Sequence, residues 1–261
     1  MFLGAGAAAV LLLGSFVAYR IGEDSRQGPV HAPRQPNIAA VDNSKPRTDV
    51  TQPASIPLRG AIDVKVWRKE DFDPAAKELK HAGLRLDEPT VLPMTPGDWL
   101  RIDVELNRPA FCYIIWIDSE GQVVPLYPWR DMSWTQRPRA EQPTNRVSLP
   151  DDPSSIAPLG HGPAGMETLL LLTRDEPLPA DVNLAQVIGA LPAQQAPDLR
   201  SAVWFENGSV VRNEVHRGPI RLDQAQATDS QILRTQAHLR DRLGPLFGYT
   251  RGVSFANRGD P

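Results

Sequence analysis

The hydrophobic pattern of this chain is densest between Gly97 and Trp129. Apolar Leu100, Ile102, Val104 and Leu106 alternate with charged Arg101, Asp103 and Glu105. Side chains on a strand alternate faces, so this period of two predicts a half-buried strand with its charges in water. Asn107, Arg108 and Pro109 predict a turn, because Pro lacks the amide hydrogen that a ladder needs. Residues 110–117 (AFCYIIWI) are apolar on both faces and rich in aromatic and β-branched side chains. That is the pattern of a central strand covered on both sides. Residues 118–121 suit a hairpin connection ending in Gly121. Residues 122–127 return as a third strand, and Pro125 predicts an edge position or a bulge there.

The rest of the chain supports this stretch. Residues 62–67 alternate and predict a first strand. Asp73 as a cap, Pro74 and a stop at Gly83 predict a short helix between them. Short strands are expected at 147–149, 166–173 and 253–255. Asp181 is expected to cap a helix that carries Leu184, Val187, Ile188 and Leu191 and stops at Pro192. Asn207-Gly208, flanked by apolar residues, is a strong hairpin signal. Residues 229–243 predict a helix with Ile232, Leu239 and Leu243 on one face, stopped by Gly244-Pro245. Hairpins outnumber strand–helix–strand units. The expected class is mainly β or α+β: an antiparallel β-sandwich-like domain with about two or three short peripheral helices.

Residues 2–19 carry no charge and approach the ~20 apolar residues of a membrane-spanning helix. A signal peptide is the alternative, but it wants a charged segment before the apolar run and a small-residue cleavage site after it. The expectation is one transmembrane helix, with residues 1–21 as a single-pass anchor and residues 2–19 in contact with the membrane. Residues 22–60 are Pro-rich and poor in large apolar side chains, which predicts a disordered tether. Residues 61–256 then form the β-rich globular domain.

Composition narrows the function. The chain has 261 residues, a net charge of −3 and an isoelectric point near 6.0. It shows no electrostatic footprint for nucleic acid. A single cysteine, Cys112, permits no internal disulfide. It lies in the strand expected to be buried on both faces, where a small core residue explains it better than a nucleophile does. Residues 160–165 match G-x-G-x-x-G, but a Pro-rich loop precedes them and a strand follows, so the phosphate-binding context is missing. His31, His81, His161, His216 and His238 form no metal-ligand spacing. Asp241, three residues after His238, reads as part of a solvated helix face. Asp118 with Glu120, and Asp151 with Asp152, read as solvated turn acids. No catalytic residue, metal site or cofactor is expected. The remaining candidate is the loop after the third strand, with Tyr127, Trp129, Arg130, Trp134, Arg137 and Arg139. Aromatic faces and guanidinium forks together can hold an anionic or sugar-like ligand, or a protein partner. The alternative is a loop whose tryptophans pack back on the sheet and whose arginines are solvated.

Gly97-Asp98, Asn107-Arg108-Pro109-Ala110, Trp116-Ile117-Asp118, Gly121 and Pro125-Leu126-Tyr127-Pro128, with Pro163-Ala164-Gly165 downstream, resemble the bacterial family known as domain of unknown function 4384. The resemblance covers residues 61–178, with 179–256 as a C-terminal extension. It implies a small β-rich module, often joined to membrane-bound serine/threonine kinases or caspase-like peptidases, with no established ligand. The implied partners are a membrane kinase or another envelope protein. Orientation is in conflict: Arg20, Arg26 and Arg34 follow the span and would place the domain in the cytoplasm, whereas a kinase domain upstream of the span would place it outside. The expectation adopted is a domain on the outer face of the cytoplasmic membrane, serving as a non-catalytic binding or sensing module. An envelope hydrolase whose site is assembled from distant strands stays open as the alternative.

Overall fold

The computed structural model describes residues 56–73, 78–79, 81–88, 90–152, 155–194, 202–211 and 222–259. The expected membrane span at 2–19, nearly all of the expected tether and His216 lie outside them. Among the described residues no helix is long and apolar enough to cross a membrane.

In chain order the strands begin with β1 (Gly60–Trp67), β2 (Phe72–Asp73), β3 (Glu78–Leu79), β4 (Leu84–Arg85), β5 (Trp99–Ile117) and β6 (Val123–Tyr127). They continue with β7 (Thr144–Leu149), β8 (Ala157–Pro158) and β9 (Gly165–Arg174), then helix α1 (Leu184–Ile188). β10 (Val203–Glu206), β11 (Ser209–Val211), helix α2 (Leu222–Leu243) and β12 (Tyr249–Asn257) follow. The fold is mostly antiparallel β: ten of the strands form one curled sheet, and β2 and β3 pair with each other.

β5 organises this sheet. Its 19 residues have two edges, and each edge is shared. Along one, β6, β7 and β8 follow one another antiparallel, from Ile117↔Val123 down to Trp99↔Pro158. On the other, β1 pairs with the first half (Gly60↔Leu106 to Trp67↔Trp99) and β9 with the second (Phe111↔Arg174 to Ile117↔Thr168). The turn expected at Asn107–Pro109 is therefore not a break, because β5 runs through it. Pro109 is tolerated because no pairing needs its amide: β1 stops at Leu106, β9 starts at Phe111, and the β7 register shifts between Glu105 and Ala110. Pro125 behaves as expected, at a register shift in the β5–β6 pairing between Ile114 and Ile115 of β5.

The inner face of the curl buries a cluster drawn from both halves. It includes Val64, Ile102, Val104, Cys112, Ile114, Leu169, Leu171, Val253 and Phe255. The opposite face of the second half carries Tyr113, Ile115, Ile117, Leu170 and Leu172. They are covered by Leu184 and Ile188 of α1, by Leu239 and Leu243 of α2, and by Phe247 and Trp129. Residues 110–117 thus lie buried on both faces, as their pattern predicts. Arg101 departs from its expected place in water. It is 8% exposed, and its guanidinium donates to the carbonyls of Asp152 and Ser155 at 2.7 and 3.2 Å.

The helices differ in detail. Among the described residues of 73–83 none is helical; β2 and β3 pair there as Phe72↔Leu79, a segment this short being unable to offset helix nucleation. α1 is capped by Asn183, not Asp181: its side-chain oxygen accepts from the amides of Ala185 and Gln186. α1 ends at Gly189 (φ 75°), ahead of Pro192. α2 begins earlier than expected and ends before Gly244. His238 is not on a solvated face: its Nε2 donates to the Ile188 carbonyl at 2.7 Å and ties the two helices together. Asn207 and Gly208, both at positive φ, make the tight hairpin between β10 and β11.

At one end of the inner face a carboxylate is buried. Glu167, 4% exposed, accepts from Trp116 Nε1 at 2.6 Å and from Asn257 Nδ2 at 3.1 Å. Burial outweighs these two donors and pushes its carboxyl above the usual range. The folded domain then holds this proton more firmly than the unfolded chain. Glu167 therefore contributes stability in full below its ordinary carboxylate range, and that contribution is lost as pH rises through the raised folded value. Asp118, raised by burial, acts in the same direction. Urea midpoints measured from pH 4 to 8 should decline less with rising pH in Glu167→Gln than in the wild type. Parallel pH profiles in the two proteins would refute the assignment.

Candidate binding site

The loop between β6 and β7 leaves the sheet at a gap. Ile114↔Tyr127 is the last β6 pair and Ala110↔Thr144 the first β7 pair, so residues 111–113 of β5 have no strand on this edge. A cavity of about 360 Å³ opens at that gap. That lies near the lower end of the ~300–1,000 Å³ typical of small-molecule sites. Its apolar wall includes Phe111, Leu126, Trp129 and Leu149, and its polar lining comprises Tyr127, Arg130, Glu141, Gln142 and Asp151, with Cys112 beneath.

The six residues expected at this loop separate into two groups. Trp129, Trp134 and Arg137 turn inward. Trp129 is 6% exposed and packs edge-on to Trp134, with ring centroids 5.0 Å apart, and against Tyr113 at 5.8 Å. Trp134 Nε1 donates to the Val123 carbonyl at 3.2 Å. Arg137 lies over the Tyr113 ring, 5.7 Å from its centroid. Its Nε donates to Glu141, and its terminal nitrogens donate to the carbonyls of Leu178 and of Pro179, the latter at 3.0 Å. Glu141 also accepts from the Tyr113 hydroxyl, which in turn accepts from the Leu178 amide at 2.7 Å. These groups hold the loop against the outer core and have little left to offer a ligand.

Tyr127 and Arg130 form the second group, and both line the cavity. Neither side chain makes a hydrogen bond or an ion pair within the protein among the described residues. Burial, then the fields of Cys112, Asp151 and Glu141, push the Tyr127 phenol above its ordinary range. It stays a neutral donor and acceptor at physiological pH. Arg139 is exposed and does not line the cavity.

Several lining residues escape a reading of the sequence. Asp151 looks like a turn acid, Gln142 like loop filler and Phe111 like part of a central strand. Only the gap in the β5 ladder brings them to one place. The long irregular stretch between two strands that pair with the same neighbour was the available signal, because such a loop must leave the sheet somewhere.

Catalytic readings find no support among the described residues. Cys112 is 3% exposed, and burial pushes its thiol up to about 12, so it is protonated at neutral pH. His161 is exposed, on the 160–164 loop that leads directly into β9. A strand follows that glycine motif, so no helix terminus is there to bind phosphate. Among the described residues no three His, Cys, Asp or Glu side chains converge as metal ligands.

Fold and cavity together define a mainly β domain whose curled antiparallel sheet opens a small polar-lined cavity at a break in its longest strand's ladder. Comparison with known proteins finds no matching family model, no similar curated protein and no similar solved structure.

Proposed function

We propose that this chain is a non-catalytic binding or sensing module that takes a small polar ligand in the cavity beside β5. The observation that carries this reading is the cavity's lining: Tyr127 and Arg130 line an aromatic-walled space, and among the described residues their side chains have no hydrogen-bond or ion-pair partner. A built pocket with uncommitted donors is what ligand recognition requires. The two halves that meet at β5 and share the inner cluster are read as the layers of a sandwich-like core. The module is held at a membrane by residues 2–19, with the domain on the outer face. Its motif residues resemble those of the family known as domain of unknown function 4384, and that resemblance supports the reading. The partner would be a membrane-bound kinase or another envelope protein. The scaffold role of those motifs fits the reading: Asp98, 1% exposed, accepts from Arg68 at 2.6 Å and from the Thr95 amide at 2.8 Å, and so organises structure and not chemistry.

The test is a thermal-shift screen of the full chain in detergent against free amino acids, sugars, carboxylates and polyamines. At least one class should raise the melting temperature of the wild type and not that of the Tyr127→Phe/Arg130→Ala double variant. Both substitutions leave internal hydrogen bonds intact, so the variant should melt within a few degrees of the wild type. A screen in which no class shifts the wild type, or in which the variant responds equally, would reject the cavity as the binding site.

A further inference from the structure

We infer that the cavity recognises a zwitterion with a cationic amine and a carboxylate, the chemistry of a free amino acid or very short peptide; this rests on the binding role proposed above.

Three charged side chains line the cavity: Arg130, Glu141 and Asp151. Glu141 is already committed, since its two oxygens accept from Arg137 and from Tyr113. The uncommitted charges are therefore one of each sign, the guanidinium of Arg130 and the carboxylate of Asp151. Neither forms an ion pair with any described residue. A ligand of a single charge satisfies one and is repelled by the other. A neutral ligand leaves both unmatched. A ligand that carries both charges meets each with its opposite, and planar carboxylate recognition by a guanidinium is the strongest contact on offer.

The remaining lining agrees. The Tyr127 ring lines the same cavity as Asp151, and an aromatic face attracts an ammonium group. The Tyr127 hydroxyl and the Gln142 amide add neutral polar contacts. Phe111, Leu126, Trp129 and Leu149 supply the apolar wall on which a ligand side chain would rest. Arg130 and Asp151 are both exposed, so they act at the mouth and select by charge, while the apolar wall selects by shape.

The experiment is isothermal titration of the full chain in detergent with leucine, N-acetylleucine, leucinamide and glucose. Leucine lacks neither charge; the second probe has lost the cation and the third has lost the anion. The expected result is binding of leucine, weakened about tenfold or more by either blocking group, the loss of one charge-assisted contact. Asp151→Asn should weaken leucine by a similar factor and leave N-acetylleucine unchanged. Arg130→Gln should weaken leucine and leave leucinamide unchanged. Equal binding of the three leucine compounds, or indifference to both substitutions, would overturn the inference. Failure of leucine together with failure of lysine, glutamate and phenylalanine as free amino acids would overturn it as well. Glucose binding that is lost in Tyr127→Phe, with no amino acid bound, would retain the cavity as a binding site and reject the zwitterion. No binding by any probe, joined to a negative screen, would reject both.

Discussion

Replacing Arg137 with alanine should destabilise the domain by about 3–5 kcal/mol, the usual cost of removing one partner from a buried ion pair. The pair is buried enough for that figure: the Arg137 and Glu141 side chains are 16% and 6% exposed. The substitution leaves the buried Glu141 carboxylate with the Tyr113 hydroxyl as its remaining donor among the described residues. It also frees the carbonyls of Leu178 and Pro179. A small domain has only ~5–15 kcal/mol of net stability, so equilibrium urea unfolding should show a large fall in midpoint. Arg137→Lys should recover little, since an ammonium cannot serve Glu141 and two carbonyls from one planar fork. A loss below about 1 kcal/mol would mean that the loop is solvated in solution.

Gly121→Ala should cost about 2–5 kcal/mol, from two independent terms. Gly121 has φ 83°, a region where an L-residue is disfavoured by about 1–2 kcal/mol. A methyl group there would also lie 2.6 Å from the Leu191 carbonyl oxygen and 2.8 Å from that of Pro192. Both obstacles are backbone, and overpacking of this kind costs about 1–3 kcal/mol. The turn that Gly121 completes is itself fully bonded, with Asp118 accepting from the amides of Glu120 and Gln122 at 3.0 and 2.8 Å. A control at Gly160, where an added methyl meets nothing within 4 Å, should change the urea midpoint little. Equal midpoints for the two variants would show that the segment carrying Leu191 yields freely.

Much of the sheet was legible in the sequence because periodicity reports burial locally. The double-faced apolar run at 110–117, the bulge at Pro125, the Asn207-Gly208 hairpin and the buried stripe of α2 all follow from residue type and spacing. What was not legible depends on neighbours distant in sequence. Whether Pro109 ends a strand depends on whether any pairing needs its amide, and β1, β7 and β9 all shift or stop around it. Arg101 alternates as a solvent-facing charge should, yet a loop some fifty residues later supplies its acceptors. Asp181 was the cap expected by type, and the chain path places Asn183 there instead.

The candidate site shows the same division more sharply. A cluster of Trp and Arg in a loop has the composition of a binding surface and equally that of a packed clip. Trp129, Trp134 and Arg137 proved to be the clip because Tyr113 and Glu141 receive Trp129 and Arg137, and Trp134 packs on Trp129. Tyr127 and Arg130 were left for the cavity. Asp151 was invisible as a partner, because its relation to them exists only where β6 and β7 part company along β5.

The position of β12 has a consequence for synthesis. This strand lies between β9 and β10, pairing with Gly165–Thr173 on one side and with Val203–Glu206 on the other. It is made after both of its neighbours. Until residues 249–257 have left the ribosome, β9 presents a bare edge bearing Leu169, Leu170, Leu171 and Leu172, and the Tyr249 hydroxyl cannot reach the Gly60 carbonyl 189 residues earlier. Such an edge is a template for pairing with other nascent chains. The domain should therefore stay chaperone-bound throughout translation and be released late, and ribosome-stalled chains that end before Tyr249 should aggregate once freed.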